Sequence, residues 1–398
     1  MMTGSNHRRL VIRIKKNKEK IRLVTFFAFL MIVCLPFHTL TIGGMGLLIL
    51  LGLPLIAFSA PKLGSCLKQT SWDPATILLA AFFGYNLLSY ILSPSFSVNS
   101  VYTYVKIIIV VACLYCHAYN RREKRWLLIA SVVSCLIICV FLLTGIGIGM
   151  YDNRTTIAVF GIVQDPNYLG FLFLVPMAIS VEGFLKDKRI IAKIIYAGLV
   201  GLVMLCCMTG GSRGAFLGIA VVIVICVIKR FEKLSTKILF CGAAAIFAMV
   251  LYGFMLTLLP EDIAARFSIQ LILESRGTRR LDIWMDAFRV MKEAPYNLLF
   301  GFGAGSSHLL LGGWAAHNFF IQLLLELGVV GLGLFVPFLW IWLKRTARMD
   351  TRAFSVLMGC MAMAMTLSVN TIYYFWATFI LAIVSSEASL VFIGGDKR

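Results

Sequence analysis

The sequence predicts an all-α fold, a polytopic bundle of transmembrane helices. Of the 398 residues, 60% are hydrophobic and only 14% are charged, whereas about a quarter of a soluble domain's residues are charged. Apolar runs of about 17 to 25 residues recur along the chain, and such segments satisfy their backbone groups internally when they cross lipid. Basic residues are also distributed unevenly between the connecting loops. We therefore expect about 12 spans within one integral membrane domain, residues 1–398.

The spans follow the apolar runs in chain order. The basic N-terminal stretch resembles a signal peptide, but no small-residue cleavage site follows it, so we interpret it as leading into an uncleaved first span. We place the spans at 23–40, 42–59, 74–92, 101–118, 126–145, 167–183, 190–208, 214–228, 238–258, 317–343, 353–369 and 372–391.

The net charge of +19 raises the question of a nucleic-acid partner. With these spans, 28 of the 37 lysines and arginines lie on one face of the membrane. This asymmetry is typical of the positive-inside rule and predicts that both termini are cytoplasmic. The surplus charge is then a topology signal, and we expect the lipid bilayer rather than nucleic acid as a partner.

Cysteine usage indicates packing rather than metal binding. Ten of the 11 cysteines lie in the expected spans, and Cys66 lies in a cytoplasmic loop. The pair Cys113 and Cys116 lacks a second pair or a nearby histidine, which a zinc site would need. We expect neither a metal site nor a cofactor.

The longest external interval is the loop 259–316, between spans nine and ten. Within it, residues 280–293 have apolar side chains at helical spacing, with acidic and basic residues opposite. The pattern predicts a helix that lies on the outer membrane surface or on the bundle. Its predicted apolar face comprises Leu281, Trp284, Met285, Phe288 and Met291. A flexible glycine turn is expected to follow at 301–305.

Three arginines, Arg276, Arg279 and Arg280, stand at the start of this helix. A helix N-terminus favours acids, so three cations there suggest an anionic ligand such as phosphate. Pairing with Glu274 or with lipid phosphates is the alternative interpretation.

A fourth external arginine, Arg213, lies in the glycine turn MTGGSRGAFLG. Its guanidinium offers a fixed fork of donors that suits an anion. Contact with lipid headgroups or with helix carbonyls is the alternative.

Two further positions stand out before the long loop. Asp165, Pro166 and Asn167 form a helix start, with Asp165 as N-cap and the proline at the first helical position. Lys106 lies one or two turns inside span four, where a cation faces a polar cavity or extends to the interface. The sequence leaves both interpretations of Lys106 open.

Polar residues also mark the start of span ten. Asn318, Gln322 and Glu326 are four residues apart and share one helix face, directly after His317. An acid within a span indicates a polar cavity or an ion pair. His317 by itself suits the interface, but the external arginines favour a functional role.

These residues resemble the O-antigen ligase and O-antigen polymerase superfamily of bacterial membrane glycosyltransferases. The matching motifs occur in family order and cover the C-terminal two thirds, whereas the first five spans match only in hydropathy. Arg213, Arg280 and His317 correspond to the functional arginines and histidine, although Arg276 or Arg279 could stand in for Arg280. The motifs are QDPNYLG (164–170), GGSRGAFLG (210–218), RRLDIW with EAPYNLLFGFGAGS (279–306), and HNFFIQLLLELGVVGLGLF (317–335).

The resemblance implies transfer of a glycan from undecaprenyl pyrophosphate to an acceptor, on the outer side of the bacterial cytoplasmic membrane. Arg213 and Arg280 would stabilise the leaving pyrophosphate, and His317 would accept the proton of the acceptor hydroxyl. We expect an inverting, metal-independent transfer to a glycan or lipid acceptor. The expected substrate-binding residues are Arg276, Arg279, Asn167, Asn318, Gln322 and Glu326.

Three functions remain open. A polymerase of lipid-linked repeat units of O-antigen, capsule or exopolysaccharide is favoured over a ligase that moves the finished glycan to a lipid or wall acceptor. A flippase and a chain-length regulator are open as further partners. The other class is a lipid-linked oligosaccharide flippase or another transporter. A transporter should show inverted repeats, and none is evident.

Overall fold

The computed structural model describes residues 21–70, 73–151, 154–159, 161–257 and 279–390, and these are predominantly helical. Each of the 12 predicted spans overlaps a helix. The helices are α1 (Leu23–Val33), α2 (Leu47–Thr70), α3 (Pro74–Leu92), α4 (Val98–Tyr115), α5 (Arg121–Thr144), α6 (Pro166–Leu169), α7 (Phe171–Lys186), α8 (Ile190–Thr209), α9 (Arg213–Arg230), α10 (Leu234–Leu256), α11 (Arg280–Glu293), α12 (Ser307–Leu310), α13 (Phe319–Met349), α14 (Thr351–Ala364) and α15 (Tyr373–Ser385).

Six of the helical segments in the described ranges are long and apolar enough to cross a membrane. They are Pro74–Leu92, Val98–Tyr115, Arg121–Thr144, Pro166–Lys186, Ile190–Thr209 and Phe319–Met349. Other apolar helices, such as α14 and α15, are shorter. These six segments support an integral membrane protein, whereas the count of about 12 spans and the orientation remain predictions.

Two small antiparallel sheets depart from the all-α prediction. One pairs β1 (Thr41–Ile42) with β2 (Met45–Gly46), and the other has the order β3 (Ile148–Tyr151), β4 (Arg154–Val159) and β5 (Ile162–Val163). Both lie in connections between helices. Segments rich in β-branched residues favour extended backbone there, and pairing satisfies their backbone groups.

Helix α15 is the centre of the bundle, since all 13 of its residues are buried. It packs against α4, α5, α7 and α14, while α14 packs closely on α9. At that crossing a Cβ added to Gly359 would lie 3.0 Å from the carbonyl oxygen of Gly218. Small residues thus allow close backbone approach, which drives helix association where lipid supplies no hydrophobic force.

Polar contacts between distant segments join the helix ends that carry the basic clusters. The Arg22 guanidinium donates to Glu123, with Nη2 2.6 Å from Oε2. Arg345 and Asp73 form a second ion pair at 2.6 Å. Lys124 Nζ donates to Ser389 Oγ at 2.6 Å. These contacts hold the ends of α1, α3, α5 and α13 at one end of the bundle, and the candidate site lies at the other.

Candidate functional site

Arg213, Arg280 and His317 come from three separate elements and meet at one end of the bundle. Arg213 begins α9, Arg280 begins α11, and His317 precedes α13. The positive charges of Arg213 and Arg154 act on the Arg280 guanidinium, and the charge of Arg280 acts on His317. The structure therefore places Arg280 within electrostatic reach of both Arg213 and His317.

The turn before α9 sets the position of Arg213. Gly211 has φ +57, a backbone conformation that glycine adopts without strain. Ser212 caps the helix, because its Oγ accepts from the backbone N–H of Ala215 at 3.2 Å. The opposite wall is close, since a Cβ on Gly170 would lie 2.5 Å from that of Ala215. Arg213 thus stands on the first turn of a packed helix.

Of the three arginines predicted at the start of α11, the structure describes Arg279 and Arg280, whose side chains have different surroundings. Arg279 is exposed and adopts a left-handed conformation, φ 63, as the N-cap of α11. Its guanidinium lies over the ring of Trp314, 5.1 Å from the centroid. Arg280 is partly buried and faces the cluster. Arg276 lies outside the described residues.

Burial and like charge lower the pKa of Arg280. Desolvation is the largest cause, followed by the charges of Arg213 and Arg154. Both disfavour the cationic form, and an anion placed among the three arginines would offset both. The local electrostatics thus favour a negatively charged ligand.

Helix α11 confirms the predicted helix at 280–293 but distributes its apolar residues differently. Ile283, Ala287 and Met291 are buried against the bundle. Three residues of the predicted apolar face are instead more than half exposed: Leu281, Met285 and Phe288. The helix therefore has two apolar sides. One packs on α13, and the other is suited to the membrane interface.

A side-chain contact links α11 to the histidine. Trp284 Nε1 donates to the carbonyl oxygen of Ala316 at 2.9 Å, and His317 is the next residue. Any shift of α11 thus moves Arg280 and His317 together.

His317 is held in an unusual conformation. Its φ is +47, and within the described residues it and Arg279 are the two non-glycine residues with positive φ. Its backbone N–H donates to Ser368 Oγ at 3.0 Å, in the segment before α15. Its Nδ1 is buried and has no hydrogen-bond partner among the residues that the structure describes. Strained backbone and an unpartnered buried nitrogen are typical of functional positions.

The pKa of His317 is lowered to about 4, chiefly by burial and then by the positive charges of Arg280 and His308. A solvated imidazole titrates near neutral pH. The pKa of His317 is lower because its ring is desolvated beside a cation. At pH 7 the imidazole is neutral and can accept a proton.

Sequence reasoning missed Arg154 and Tyr168. Arg154 is buried, lies 3.8 Å from Asp165 and stacks over Tyr151 at 5.3 Å. The Tyr168 hydroxyl donates to the carbonyl oxygen of Ser368 at 3.1 Å. A basic residue in an external loop, against the charge bias, was the available signal for Arg154. Tyr168 follows Asn167 directly in the motif QDPNYLG (164–170).

Asn167 packs on its own helix start. Asp165 is the N-cap of α6 with Pro166 at the first helical position, as predicted. Both the backbone N–H and the side-chain amide of Asn167 donate to Asp165 Oδ1 at 2.9 Å. These contacts order the turn next to Tyr168, and substrate binding by Asn167 stays a prediction.

Asn318, Gln322 and Glu326 are buried and bonded within the chain. Asn318 Oδ1 caps α13 by accepting from the backbone N–H groups of Phe320 and Ile321. Glu326 Oε1 accepts from Ser307 Oγ at 2.5 Å and from Gln322 Nε2 at 3.2 Å. Their predicted role in substrate binding remains untested, while these contacts indicate that they position the site.

The glycine turn at 301–305 is packed into a break in α13, rather than free as expected. The break occurs at Gly328, whose φ is 64. The freed carbonyl oxygens of Leu325 and Glu326 accept from the backbone N–H groups of Phe302 and Gly303. Ala304 N–H donates to Ser89 Oγ at 2.9 Å. The segment after α11 is therefore fastened to both α3 and α13.

Together these features define a class: an integral membrane protein with a cluster of arginines and a neutral histidine at one end of a helical bundle. A family model described as O-Antigen ligase matches residues 197–336. The match confirms the resemblance, and this chain carries the domain of the O-antigen ligase superfamily. Arg213, Arg280 and His317 all lie within it. No curated protein matches the chain.

The family supports a coarse statement of function. The matched domain supports a glycosyltransferase-like function of the ligase or polymerase type, and its family implies a lipid-linked glycan substrate in a membrane.

Proposed function

We propose that this protein transfers a glycan from undecaprenyl pyrophosphate to an acceptor hydroxyl, on the outer face of the cytoplasmic membrane, and that it polymerises lipid-linked repeat units. One observation carries the proposal. Arg213, Arg280 and His317 come from three separate elements, and the charge of Arg213 acts on Arg280 while the charge of Arg280 acts on His317. Within the superfamily, this set of groups suits a pyrophosphate leaving group and an acceptor that must lose a proton.

The arginines supply the leaving-group site. The positive charges of Arg213 and Arg280 repel each other, and a bound pyrophosphate would offset that repulsion. The first N–H groups of α11 add donors at its N-terminus. As the glycosidic C–O bond breaks, its electron pair passes to the phosphate oxygen, and fixed guanidinium groups stabilise the growing charge. No metal is needed for this step.

His317 supplies the base. The acceptor hydroxyl oxygen bonds to the anomeric carbon from the face opposite the leaving pyrophosphate, so the configuration inverts. Its proton passes to the neutral imidazole of His317. The left-handed backbone of His317 and the bond from its N–H to Ser368 hold the residue in position for this transfer.

The remaining predicted residues support this arrangement. Arg276 and Arg279 would extend the anion site at the start of α11. Asn167, Asn318, Gln322 and Glu326 would contact substrate or hold the residues that do. For a polymerase, a flippase that delivers the donor and a chain-length regulator are the expected further partners.

A ligase is the second candidate, favoured by the description of the matching family model, O-Antigen ligase. It would move the finished glycan to a lipid or wall acceptor. Deleting the gene and resolving the surface polysaccharide on a gel separates the two. Loss of a polymerase leaves single repeats attached, whereas loss of a ligase leaves long chains on undecaprenyl pyrophosphate. A normal glycan ladder would contradict both.

Restoring the gene with variants tests the site. We expect Arg280→Ala to lower activity about 10²- to 10³-fold and His317→Ala about 10²- to 10⁴-fold, with membrane protein levels unchanged. Arg289→Ala is the matched control, because Arg289 lies on the same helix but is exposed and pairs with Asp286. Wild-type glycan from the Arg280 or His317 variant would refute the assignment.

A further inference from the structure

A cavity of about 350 Å³ lies beside the arginine–histidine cluster. This volume is near the lower end of the range for small-ligand sites. The cavity lies between the β1–β2 hairpin, α4, and the start of α15. Its walls include the side chains of His38, Tyr102, Lys106, Gln164, Tyr168 and Tyr373. We refer to it as the Lys106 cavity.

Lys106 gives this cavity a positive charge that no carboxylate in the described part of the chain neutralises. Its Nζ lies 4.5 Å from the ring centroid of Tyr102 and 5.8 Å from that of Tyr373. Among the described residues, no carboxylate is within ion-pair distance of it. Asp165 also lines the cavity but lies 3.8 Å from Arg154. Of the two interpretations that the sequence left open for Lys106, the cavity is the one observed.

The other walls are aromatic faces and neutral polar groups. The His38 ring packs against Tyr373 and Tyr374. Gln164 is held by the Tyr374 hydroxyl at 3.1 Å. Rings that can stack on C–H faces, together with amide, imidazole and hydroxyl groups, suit a polyhydroxylated ring more than a lipid tail.

The position of the Lys106 cavity links it to the reaction. Tyr168 forms part of its wall, and the charge of Arg280 acts on Tyr168 from the other side. The Tyr168 hydroxyl donates to the Ser368 carbonyl, and Ser368 Oγ accepts from His317. One residue therefore separates the cavity from the proposed base.

The cavity also lies outside the shared family domain. Every residue that lines it is numbered below 197 or above 336, whereas Arg213, Arg280 and His317 fall within 197–336. When relatives share a reaction but differ in substrate, we expect the catalytic residues to lie in the shared domain and the substrate-selecting residues to lie outside it. The Lys106 cavity is therefore placed to select the substrate.

We infer that the Lys106 cavity is a subsite for a sugar ring that bears a carboxylate, the acidic sugar of the acceptor glycan. The sugar ring would stack between the tyrosines, the carboxylate would pair with Lys106, and hydroxyl groups would reach His38 and Gln164. The assignment of this sugar to the acceptor rests on the proposed function, but the binding of an acidic sugar can be measured without turnover.

Binding to the full chain in lipid nanodiscs tests the subsite, with saturation-transfer NMR and glucuronate, glucose and inorganic pyrophosphate as probes. We expect glucuronate to bind about tenfold more tightly than glucose, because a charge-assisted hydrogen bond is added. Lys106→Met should remove this preference, and Lys106→Arg should retain it. Lys193→Met is the matched control, since Lys193 also contacts a ring, that of Phe184, at 5.7 Å.

Pyrophosphate binding separates this inference from the proposed function. Arg213→Ala should weaken pyrophosphate binding and leave glucuronate binding intact, whereas Lys106→Met should do the reverse. Retained pyrophosphate binding also shows that the Lys106 variant is folded. Equal binding of glucuronate and glucose to the wild type would overturn the subsite. So would loss of pyrophosphate binding in Lys106→Met, which would assign the cavity to the donor.

Discussion

His317 combines a left-handed backbone with a desolvated ring, and the two have one cause. The segment that leads into α13 must turn sharply so that Asn318 can cap the helix while Trp284 holds Ala316. That turn places the imidazole near Arg280 and shields it from solvent. A left-handed conformation costs about 1–3 kcal/mol in a residue other than glycine, and surrounding contacts must offset it. Ser368 supplies one such contact.

The pH profile of the reaction should report this environment. Since the pKa of His317 is lowered to about 4, the base stays neutral as pH falls from 7 to about 5. We expect kcat/KM to stay level over that interval and to fall by half near pH 4. The kcat profile should fall at a higher pH, because a bound pyrophosphate favours the imidazolium and raises its pKa.

Steady-state rates measured between pH 4 and 8 check this expectation. A kcat/KM midpoint near 6.5, the ordinary value for a solvated histidine, would show that the ring is not desolvated in the free enzyme.

Arg154 belongs to the site, but its sequence context does not identify it. It begins the short strand β4, and no motif includes it. Only the fold places it in the cluster, because β4 pairs with β3 and brings Arg154 over Tyr151 and towards Arg280.

Among the elements, α11 and the glycine segment that follows it act as one unit. Helix α11 packs on α13 through Ile283 and Met291, while the segment 301–305 fills the break in α13. The fit is close, since a Cβ on Gly301 would lie 2.3 Å from the backbone of Glu326. These contacts fix the height of Arg280 relative to His317.

Gly301→Ala should therefore destabilise the unit. The alanine would require the positive φ of 80 and would also collide with backbone atoms, which cannot move aside. We expect a loss of more than about 1–3 kcal/mol, the cost of left-handed strain alone, together with reduced activity. Thermal unfolding of the detergent-solubilised protein measures the effect.

Gly312→Ala is the matched control for this variant. Gly312 has a similar φ of 61 but open space around it, so its substitution isolates strain from collision. Equal destabilisation by the two variants would contradict the close fit at Gly301.

At the scale of the whole molecule, charge and site are segregated to opposite ends. The ion pairs of Glu123 and Asp73 lie at one end, and the arginine–histidine cluster and the Lys106 cavity lie at the other. This arrangement agrees with the grouping of loops that the sequence predicts.

Orientation is checked with two fusions after Arg398. If the C-terminus is cytoplasmic, as the positive-inside rule predicts, a fused green fluorescent protein should fluoresce. A fused alkaline phosphatase, which needs an oxidising compartment, should be inactive. The opposite pair of results would invert the proposed side of the active site.

Hydropathy and motif spacing predict much of the fold and of the candidate site. The helices, the cap at Asp165, the surface helix at 280–293 and the three catalytic candidates all follow from local pattern. The small sheets, the exposed half of α11 and the break at Gly328 do not, because each depends on which segment packs alongside.

The sequence by itself determined the membrane class, the segregation of charge and the family, since these depend on composition and on short motifs. Tertiary structure alone decided that Arg154 and Tyr168 join the site, that His317 is neutral, and that Lys106 faces a cavity. The physical reason is that desolvation and charge–charge interactions depend on distance in space. Residues far apart in the chain come within that distance only when the helices pack.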